Sequence, residues 1–177
     1  MPVTTHYGSQ GWTGRQSISN YMNNHIGHFA DGSQAFAKAL FFGGVTRRFP
    51  GLRVGLLEGG ADWGSHVYTH LVDRWEKRNR HAVRNYDPAE ADIERLASLF
   101  ERYGGDFVKG RTLDKTTLLR DSLGISALPH SREPNESEID DFALAGIEKV
   151  EDIRDRWVNN FYFGSEADDR TVACLLY

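Results

Sequence analysis

Three short apolar runs along the chain predict β-strands, and small or polar residues follow each of them. The runs are Val3–Tyr7, Leu52–Leu57 and Phe161–Phe163. Between the runs, apolar residues recur at the spacing of amphipathic helices. The clearest helical stripe consists of Trp63, Val67, Leu71 and Trp75. Because strands alternate with helices, the pattern predicts an α/β protein with a parallel sheet.

Further helices are predicted on both sides of that stripe. One begins near Ser33 and ends near Gly43 or Pro50, and its predicted buried face is Phe36, Ala39 and Leu40. Another begins at Asp87–Glu90, where an aspartate cap, a proline and an acid are typical of a helix N-terminus. Its predicted buried face is Ile93, Leu96, Ala97, Phe100 and Tyr103. Shorter helices are predicted at Asp114–Leu123, Glu136–Ala145 and Ile147–Trp157.

Residues 1–177 are expected to form a single, incomplete domain. An apolar content of 40% in 177 residues is enough for one hydrophobic core. Segment 87–135 is the widest gap between predicted strands, and we interpret it as an insertion over the functional site. Three parallel strands cannot close a barrel by themselves. The sequence is therefore interpreted as part of a larger architecture.

Charge and cysteine content argue against several classes of protein. The formal net charge is −4, whereas a nucleic-acid partner needs a basic face. The one cysteine, Cys174, precludes an internal disulfide and suits a reducing compartment. The start of the chain has no signal-peptide pattern, and no apolar run is as long as a membrane helix. These features predict a cytoplasmic protein without a membrane or nucleic-acid partner.

Three segments carry a resemblance to a known family. They read GGVTRRFPGL, EGGADW and FGSEADD in chain order, and NHIGHFADGSQAFAKALFF precedes them. In this order and spacing the chain resembles the amidohydrolase-related metal-dependent hydrolases (the amidohydrolase 2 type), which fold as TIM barrels and include aminocarboxymuconate semialdehyde decarboxylase. The resemblance implies a partial (β/α)8 barrel covering roughly strands five to seven. It also implies a divalent metal, zinc, and hydrolysis or decarboxylation of a small organic acid, amide or ester.

Two motifs of that family are missing from the sequence. The family's first strand ends in a His-x-His metal pair, which this sequence lacks. Its last strand ends in Ser-Asp, which in this branch is expected beyond Tyr177. The resemblance therefore implies a fragment that is inactive by itself. A second class of function stays open, namely a barrel remnant or split-gene product that acts as an interaction module. Its partner would be a second copy or a complementing chain.

The resemblance assigns the metal site to residues that follow the first two predicted strands. His6 matches the strand-five histidine that binds the metal, and neutral imidazole is a good zinc ligand. Glu58 is expected to be a second metal ligand or a general base. The alternative for Glu58 is an acid that caps the Gly59–Asp62 turn or pairs with Arg53. The alternative for His6 is a partly buried, hydrogen-bonded histidine.

An acidic cluster, Glu166, Asp168 and Asp169, follows the third predicted strand. Neighbouring like charges raise one another's pKa, which would suit acid–base catalysis by Glu166 and Asp169 or a cation site. The alternative is that one aspartate caps the helix that follows.

Imidazole and indole side chains near the strand ends are the expected substrate contacts. At helical spacing His25 and His28 would share a face and reach a substrate carboxylate. Gly27 between them weakens a helix, so a loop that places one imidazole over the barrel mouth is the other arrangement. Trp12 and Trp63 would form walls of the substrate pocket. For all four residues the alternative is packing on the surface or in the core.

A second histidine pair, His66 and His70, lies four residues apart on a predicted helix. That spacing can chelate zinc, but the glutamate of a His-Glu-x-x-His motif is absent because residue 67 is valine. The two histidines are therefore expected to be packing and capping residues beside the tryptophan stripe.

Overall fold

A computed structural model describes residues 1–6, 20–83, 91–114, 118 and 140–175 of the chain. The chain divides into two compact units. The first consists of Met1–Asn79 with Asp141–Tyr177, and the second is Arg80–Asp140. The predicted strands and all the predicted site residues belong to the first unit.

The first unit contains a three-stranded parallel sheet. Its strands are β1 (Pro2–His6), β2 (Arg53–Leu57) and β3 (Phe161–Phe163), and β2 lies between the other two. The α/β class and the parallel sheet are therefore confirmed. Parallel neighbours require long crossover connections, and helices supply them here.

Helices precede, connect and follow the strands. In chain order the structure describes α1 (Tyr21–His25), α2 (His28–Phe42), α3 (Val45–Arg48), α4 (Asp62–Arg78), α5 (Arg80–Val83), α6 (Ile93–Tyr103), α7 (Asp141–Leu144), α8 (Val150–Val158) and α9 (Val172–Leu175). Of these, α5 and α6 belong to the second unit. Within the described ranges, no helix combines the length and the apolar character that crossing a membrane requires.

One face of the sheet is buried under helices. The register aligns Val54 with Phe161 and Leu56 with Phe163, so these four side chains point to the same face. Val54, Leu56 and Phe161 are buried in one core with residues of α2, α4, α7 and α8. The helical and loop members of this core are Ala37, Phe41, Trp63, Val67, Leu71, Phe142, Ala145, Ile147, Ile153 and Trp157.

Described side chains on the opposite face of the sheet are partly or largely exposed. Thr4, Gly55 and Tyr162 align across the three strands on this face, and none of them is buried. Tyr162 at the edge is 53% exposed. A side chain on Gly55 would come within 3.3 Å of the Thr4 methyl group. Within the described part of the chain, the sheet therefore has one face buried under helices and one face whose residues, small at the centre, stay at least partly exposed.

Helix α4 packs as its apolar stripe predicts. Trp63, Val67 and Leu71 are buried, and Trp75 packs against the same core. Gly64 allows the helix to approach β3, because a Cβ atom there would lie 2.7 Å from the Phe163 ring. The backbone carbonyl of Gly64 accepts a hydrogen bond of 3.1 Å from the Trp157 indole.

Helix α2 differs from its prediction in its start and in its buried face. It begins at His28 rather than near Ser33, and its buried residues are Gly32, Ser33, Ala37 and Phe41. Phe36 and Ala39 are exposed, so the predicted buried face is wrong for these two residues, whereas Leu40 packs against the core. Gly32, Ser33 and Ala37 on the observed buried face are small and let the helix pack closely. A prediction based on large apolar residues does not detect such a face.

The second unit contains one clearly capped helix. Helix α6 begins at Ile93, and the Asp92 side chain caps it by accepting a hydrogen bond of 2.9 Å from the Arg95 amide. The predicted start Asp87–Glu90 lies outside the described residues. No residue of α6 is fully buried, but Ile93, Leu96, Ala97 and Phe100 of the predicted face are partly buried, whereas Tyr103 is exposed. The predicted insertion 87–135 overlaps this unit and stays a prediction.

The last part of the first unit follows its predictions more closely. Of the predicted helix Glu136–Ala145, residues 136–139 lie outside the described residues, and α7 spans Asp141–Leu144. Helix α8 buries Ile153 and Trp157 as predicted.

The predicted helix Asp114–Leu123 belongs to the second unit. It is described at Leu118 and otherwise lies almost wholly outside the described residues.

We expect Gly64→Ala to lower the free energy of unfolding by about 1–3 kcal/mol, because its Cβ atom overpacks the contact with Phe163. The Phe163 ring cannot easily retreat, since it packs against both Trp63 and Trp157. The control is Gly51→Ala, where a Cβ atom meets nothing within 4 Å. Urea unfolding measures both variants. Equal stabilities would contradict the close packing of α4 on β3.

Candidate functional site

The residues that follow the strands meet at one edge of the sheet. In a parallel sheet all carboxyl ends lie on the same side. The register aligns His6 at the end of β1 with Leu57 at the end of β2. Beyond β3, the Gly164 amide donates a hydrogen bond of 2.8 Å to the Leu56 carbonyl. Glu58 and the loop after Phe163 therefore belong to the same edge as His6.

His6 and Glu58 form a direct pair across this edge. The His6 Nε2 atom lies 2.9 Å from the Glu58 Oε2 atom, and each side chain is 46% exposed. The alternative partner Arg53 is engaged elsewhere, because its guanidinium donates to the carbonyls of Pro50 and Leu52. The structure thus brings together the two residues predicted as metal ligands.

The backbone at Glu58 is strained. Its φ angle is +57°, a left-handed conformation that favours glycine and costs other residues about 1–2 kcal/mol. A half-exposed ion pair contributes roughly 0–1 kcal/mol to the free energy of unfolding. The pair with His6 therefore does not offset the strain. Strained backbone held in place by its surroundings is a common property of functional sites.

Two glycines after Glu58 let the turn pass close to other elements. A Cβ atom on Gly59 would lie 3.0 Å from the Trp63 Nε1 atom and 3.5 Å from the Ala30 Cα atom. Gly60 has a φ angle of +74°, and a Cβ atom there would lie 3.2 Å from the Asp169 Oδ2 atom. The turn after β2 thus connects Glu58 to the surroundings of both Trp63 and Asp169.

Asp169 is held by Thr171. Its Oδ1 atom accepts hydrogen bonds from the Thr171 hydroxyl at 2.6 Å and from the Thr171 amide at 2.9 Å. These two bonds, with a smaller contribution from the Ala61 amide, lower the pKa of Asp169. The expectation of a raised pKa is therefore wrong for Asp169. Both bonds go to Thr171, which precedes α9, so capping of a helix amide by Asp169 stays a prediction.

Glu166 belongs to the turn that follows β3. It is exposed in the turn after β3, and its backbone carbonyl accepts a hydrogen bond of 3.1 Å from the Asp169 amide. Asp168 in the same turn is also exposed. Among the described contacts, the Glu166 side chain makes none with His6 or Glu58. Its catalytic role stays a prediction from the sequence.

His25 and His28 meet, although they do not share a helix. Helix α1 ends at His25 and α2 begins at His28, with Gly27 in a left-handed conformation between them. The two ring centroids are 4.7 Å apart, and the His28 Nδ1 atom makes a short hydrogen bond with the His25 carbonyl. Gly27 breaks the helix there, so the shared helix face is wrong and the backbone agrees with the loop arrangement.

Phe29 connects this pair to His6. The Phe29 ring stacks on His28 with a centroid distance of 3.9 Å and meets the edge of His6 at 5.2 Å. Sequence analysis missed Phe29, because a single apolar residue in a helical pattern carries no signal for a site. Three imidazoles therefore surround one aromatic ring beside Glu58.

Trp63 is a core residue at the border of the site. It is 7% exposed and packs edge to face with Phe163 at 4.8 Å. Its indole Nε1 atom is buried and has no hydrogen-bond partner among the described residues. This agrees with the packing alternative, and the free N–H faces the Gly59 turn. Trp12 lies outside the described residues.

The described residues offer two donors for a metal rather than a full set. Imidazole and carboxylate are both zinc donors, but a structural or catalytic zinc site uses at least three protein ligands. No group of three or more histidine, cysteine, aspartate or glutamate side chains is arranged for a metal in the described part of the chain. His6 and Glu58 therefore suit part of a metal site.

Comparisons with known proteins returned no match to a family model, a curated protein or a solved structure.

A pair of substitutions at position 58 tests the backbone strain. Glu58→Gly and Glu58→Ala both remove the carboxylate, but only glycine relieves the left-handed conformation. We expect the glycine variant to have the higher free energy of unfolding, by roughly 1 kcal/mol. The control is Glu151, an exposed residue in the first turn of α8, where alanine should be the more stable by up to about 1 kcal/mol. If the alanine variant is more stable than the glycine variant at both positions, the backbone at Glu58 is not strained.

The lowered pKa of Asp169 predicts a pH dependence of stability. A carboxyl group whose pKa falls on folding stabilises the protein above its unfolded pKa, near 4, and this contribution is lost as the pH falls through the folded pKa. We expect Asp169→Asn to be less stable than the wild type at pH 7. The difference in melting temperature should shrink below about pH 4. A difference that stays constant down to pH 2.5 would contradict the assignment.

The matched control for this pH series is Asp168→Asn. It removes the same charge one residue away and leaves both Thr171 hydrogen bonds in place. Its melting temperature at pH 7 should therefore lie closer to that of the wild type.

Proposed function

We propose that this chain is a segment of a metal-dependent hydrolase or decarboxylase of the amidohydrolase type, acting on a small organic acid, amide or ester. The observation that carries the proposal is the His6–Glu58 pair at the carboxyl ends of neighbouring parallel strands. Active sites of (β/α) barrels are built at that end of the strands. The strained backbone of Glu58 adds support, because stability alone does not favour glutamate there.

One-sided packing of the sheet supports a partial barrel, covering roughly strands five to seven. In doubly wound folds helices cover both faces of the sheet. In a barrel, helices cover the outer face and other strands enclose the inner face. The buried face of β2 and the partly exposed face with Thr4, Gly55 and Tyr162 fit the barrel arrangement.

The pair supplies acid–base chemistry through a fixed imidazole. A neutral His6 that donates its Nε2–H to Glu58 carries its lone pair on Nδ1. Glu58 thereby sets both the tautomer and the orientation of the ring. The Nδ1 atom of His6 is then available as a proton acceptor or as a metal ligand. In this arrangement Glu58 orients His6 and is itself a second metal ligand.

The proposed cofactor is a divalent metal ion. Zinc is the ion proposed, because imidazole and carboxylate are both zinc ligands. His6 and Glu58 would hold it together with ligands outside the described residues. When bound, such an ion supplies Lewis acidity toward a carbonyl or carboxylate group of the substrate.

Substrate contacts are proposed for the groups around the pair. Phe29, His25 and His28 form an aromatic and imidazole surface next to His6. Asp169 holds a negative charge on the other side of the Gly59–Gly60 turn. The sequence favours two further roles. Trp12 and Trp63 are proposed as walls of the substrate pocket, and Glu166 is proposed as a catalytic carboxylate.

The alternative function is an interaction module completed by a second copy or by a complementing chain. It is favoured by the partly exposed face of the sheet and by the exposed edge residues Val3 and Tyr162. Exposed strand edges invite pairing with further strands. This alternative needs no chemistry from His6.

Zinc content distinguishes the two functions. The protein is purified from zinc-supplemented cells and dialysed against a weak chelator, and zinc per chain is measured by mass spectrometry. We expect His6→Ala to lose the ion, and Glu58→Gln to weaken its binding by roughly 10- to 100-fold. His81→Ala, which removes an exposed histidine of α5, should keep it.

Zinc content that is unchanged in His6→Ala would contradict the ligand assignment. A wild-type protein that holds no zinc but forms a stable complex with a second copy or a complementing chain would support the interaction module.

A further inference from the structure

The exposed face of α4 carries a second pair of histidines that the proposed function does not use. His66 and His70 are both exposed, so the expectation that they pack beside the tryptophan stripe is wrong. The core side of α4 is formed by Trp63, Val67 and Leu71, and the histidines lie off that stripe. Among the described residues, neither ring takes part in a hydrogen bond or an ion pair.

The two imidazole rings already lie side by side. Their centroids are 4.3 Å apart and their planes are inclined by 41°. Two imidazoles that bind one ion at about 2.1 Å and at a right angle have centroids roughly 4.5 Å apart. A tetrahedral angle would separate the centroids to roughly 5 Å. The observed spacing is therefore close to the right-angled arrangement.

From this geometry we infer that His66 and His70 form a bidentate site for a late first-row divalent metal ion. Copper(II) and nickel(II) prefer right-angled nitrogen donors, and imidazole sites bind them at least as tightly as zinc. Both donors come from one continuous helix, so binding fixes only the side-chain rotamers. The remaining coordination positions belong to water.

Neighbouring carboxylates do not complete the site to three protein ligands. Asp73, one turn beyond His70, accepts a hydrogen bond of 2.9 Å from Lys77, and this bond is the main cause of its lowered pKa. Asp62, one turn before His66, directs its Oδ1 atom toward the Gly60 turn. The site is therefore a two-histidine chelate with exchangeable outer ligands, unlike the His6 site, which pairs an imidazole with a carboxylate.

The test is titration of the metal-free chain with nickel chloride at pH 7.5 in a non-coordinating buffer, where imidazole is mainly neutral. Isothermal calorimetry of the wild type should find a nickel site that depends on both His66 and His70. His66→Ala and His70→Ala should each weaken it on the order of tenfold or more, because the second donor no longer acts within the same chelate. Alanine is well tolerated on an exposed helix face, so both variants should fold.

Two controls separate this site from other histidines. His81→Ala removes an exposed histidine of α5, and His6→Ala removes the proposed catalytic ligand. His81→Ala should bind nickel as the wild type does. In His6→Ala the nickel site of His66 and His70 should be retained, and any nickel lost in this variant reports the proposed His6 site, so the failure of either proposal can be recognised independently. A rise in melting temperature with nickel, present in the wild type and absent in His70→Ala, gives a second readout.

Equal nickel affinity in the wild type and His70→Ala would overturn the inference. Complete loss of nickel binding in His6→Ala, in which His66 and His70 are intact, would overturn it as well.

Discussion

Burial of one face of β2 is the constraint on which the rest of the structure depends. Val54 and Leu56 are almost completely buried beneath the helices, so the central strand has one possible orientation. Because β1 and β3 pair in parallel with β2, all three strands end at the same edge. A slip of one residue would turn His6 to the other face of the sheet. The contact between His6 and Glu58 is therefore a consequence of core packing.

The turn after β2 illustrates how a site and its support compete. Glycine suits the left-handed backbone at position 58, and the chain does place glycines at the next two positions. It nevertheless holds a glutamate where the backbone strain exceeds the gain from an exposed pair. The close approaches of Gly59 to Trp63 and of Gly60 to Asp169 hold this turn in place. Packing of the turn against the core thus holds the strained backbone at position 58, and this backbone orients the Glu58 carboxylate.

The two histidine pairs show why residue spacing has to be combined with backbone continuity. His66 and His70 lie on one uninterrupted helix, so their four-residue spacing places the rings together as helical geometry requires. His25 and His28 are separated by Gly27 in a left-handed conformation, and their rings meet through the fold of the α1–α2 turn and through Phe29. Spacing alone described the first pair correctly and misplaced the second.

The sequence by itself determined the three strands, the α4 stripe and the α/β class, because apolar periodicity is a local property of the chain. It also singled out His6 and Glu58 as residues at strand ends. Only the tertiary structure decided that these two are partners, that Phe36 is exposed while Gly32 and Ala37 are buried, and that Thr171 lowers the pKa of Asp169. Such outcomes depend on which distant segments meet, and periodicity along the chain contains no information about that.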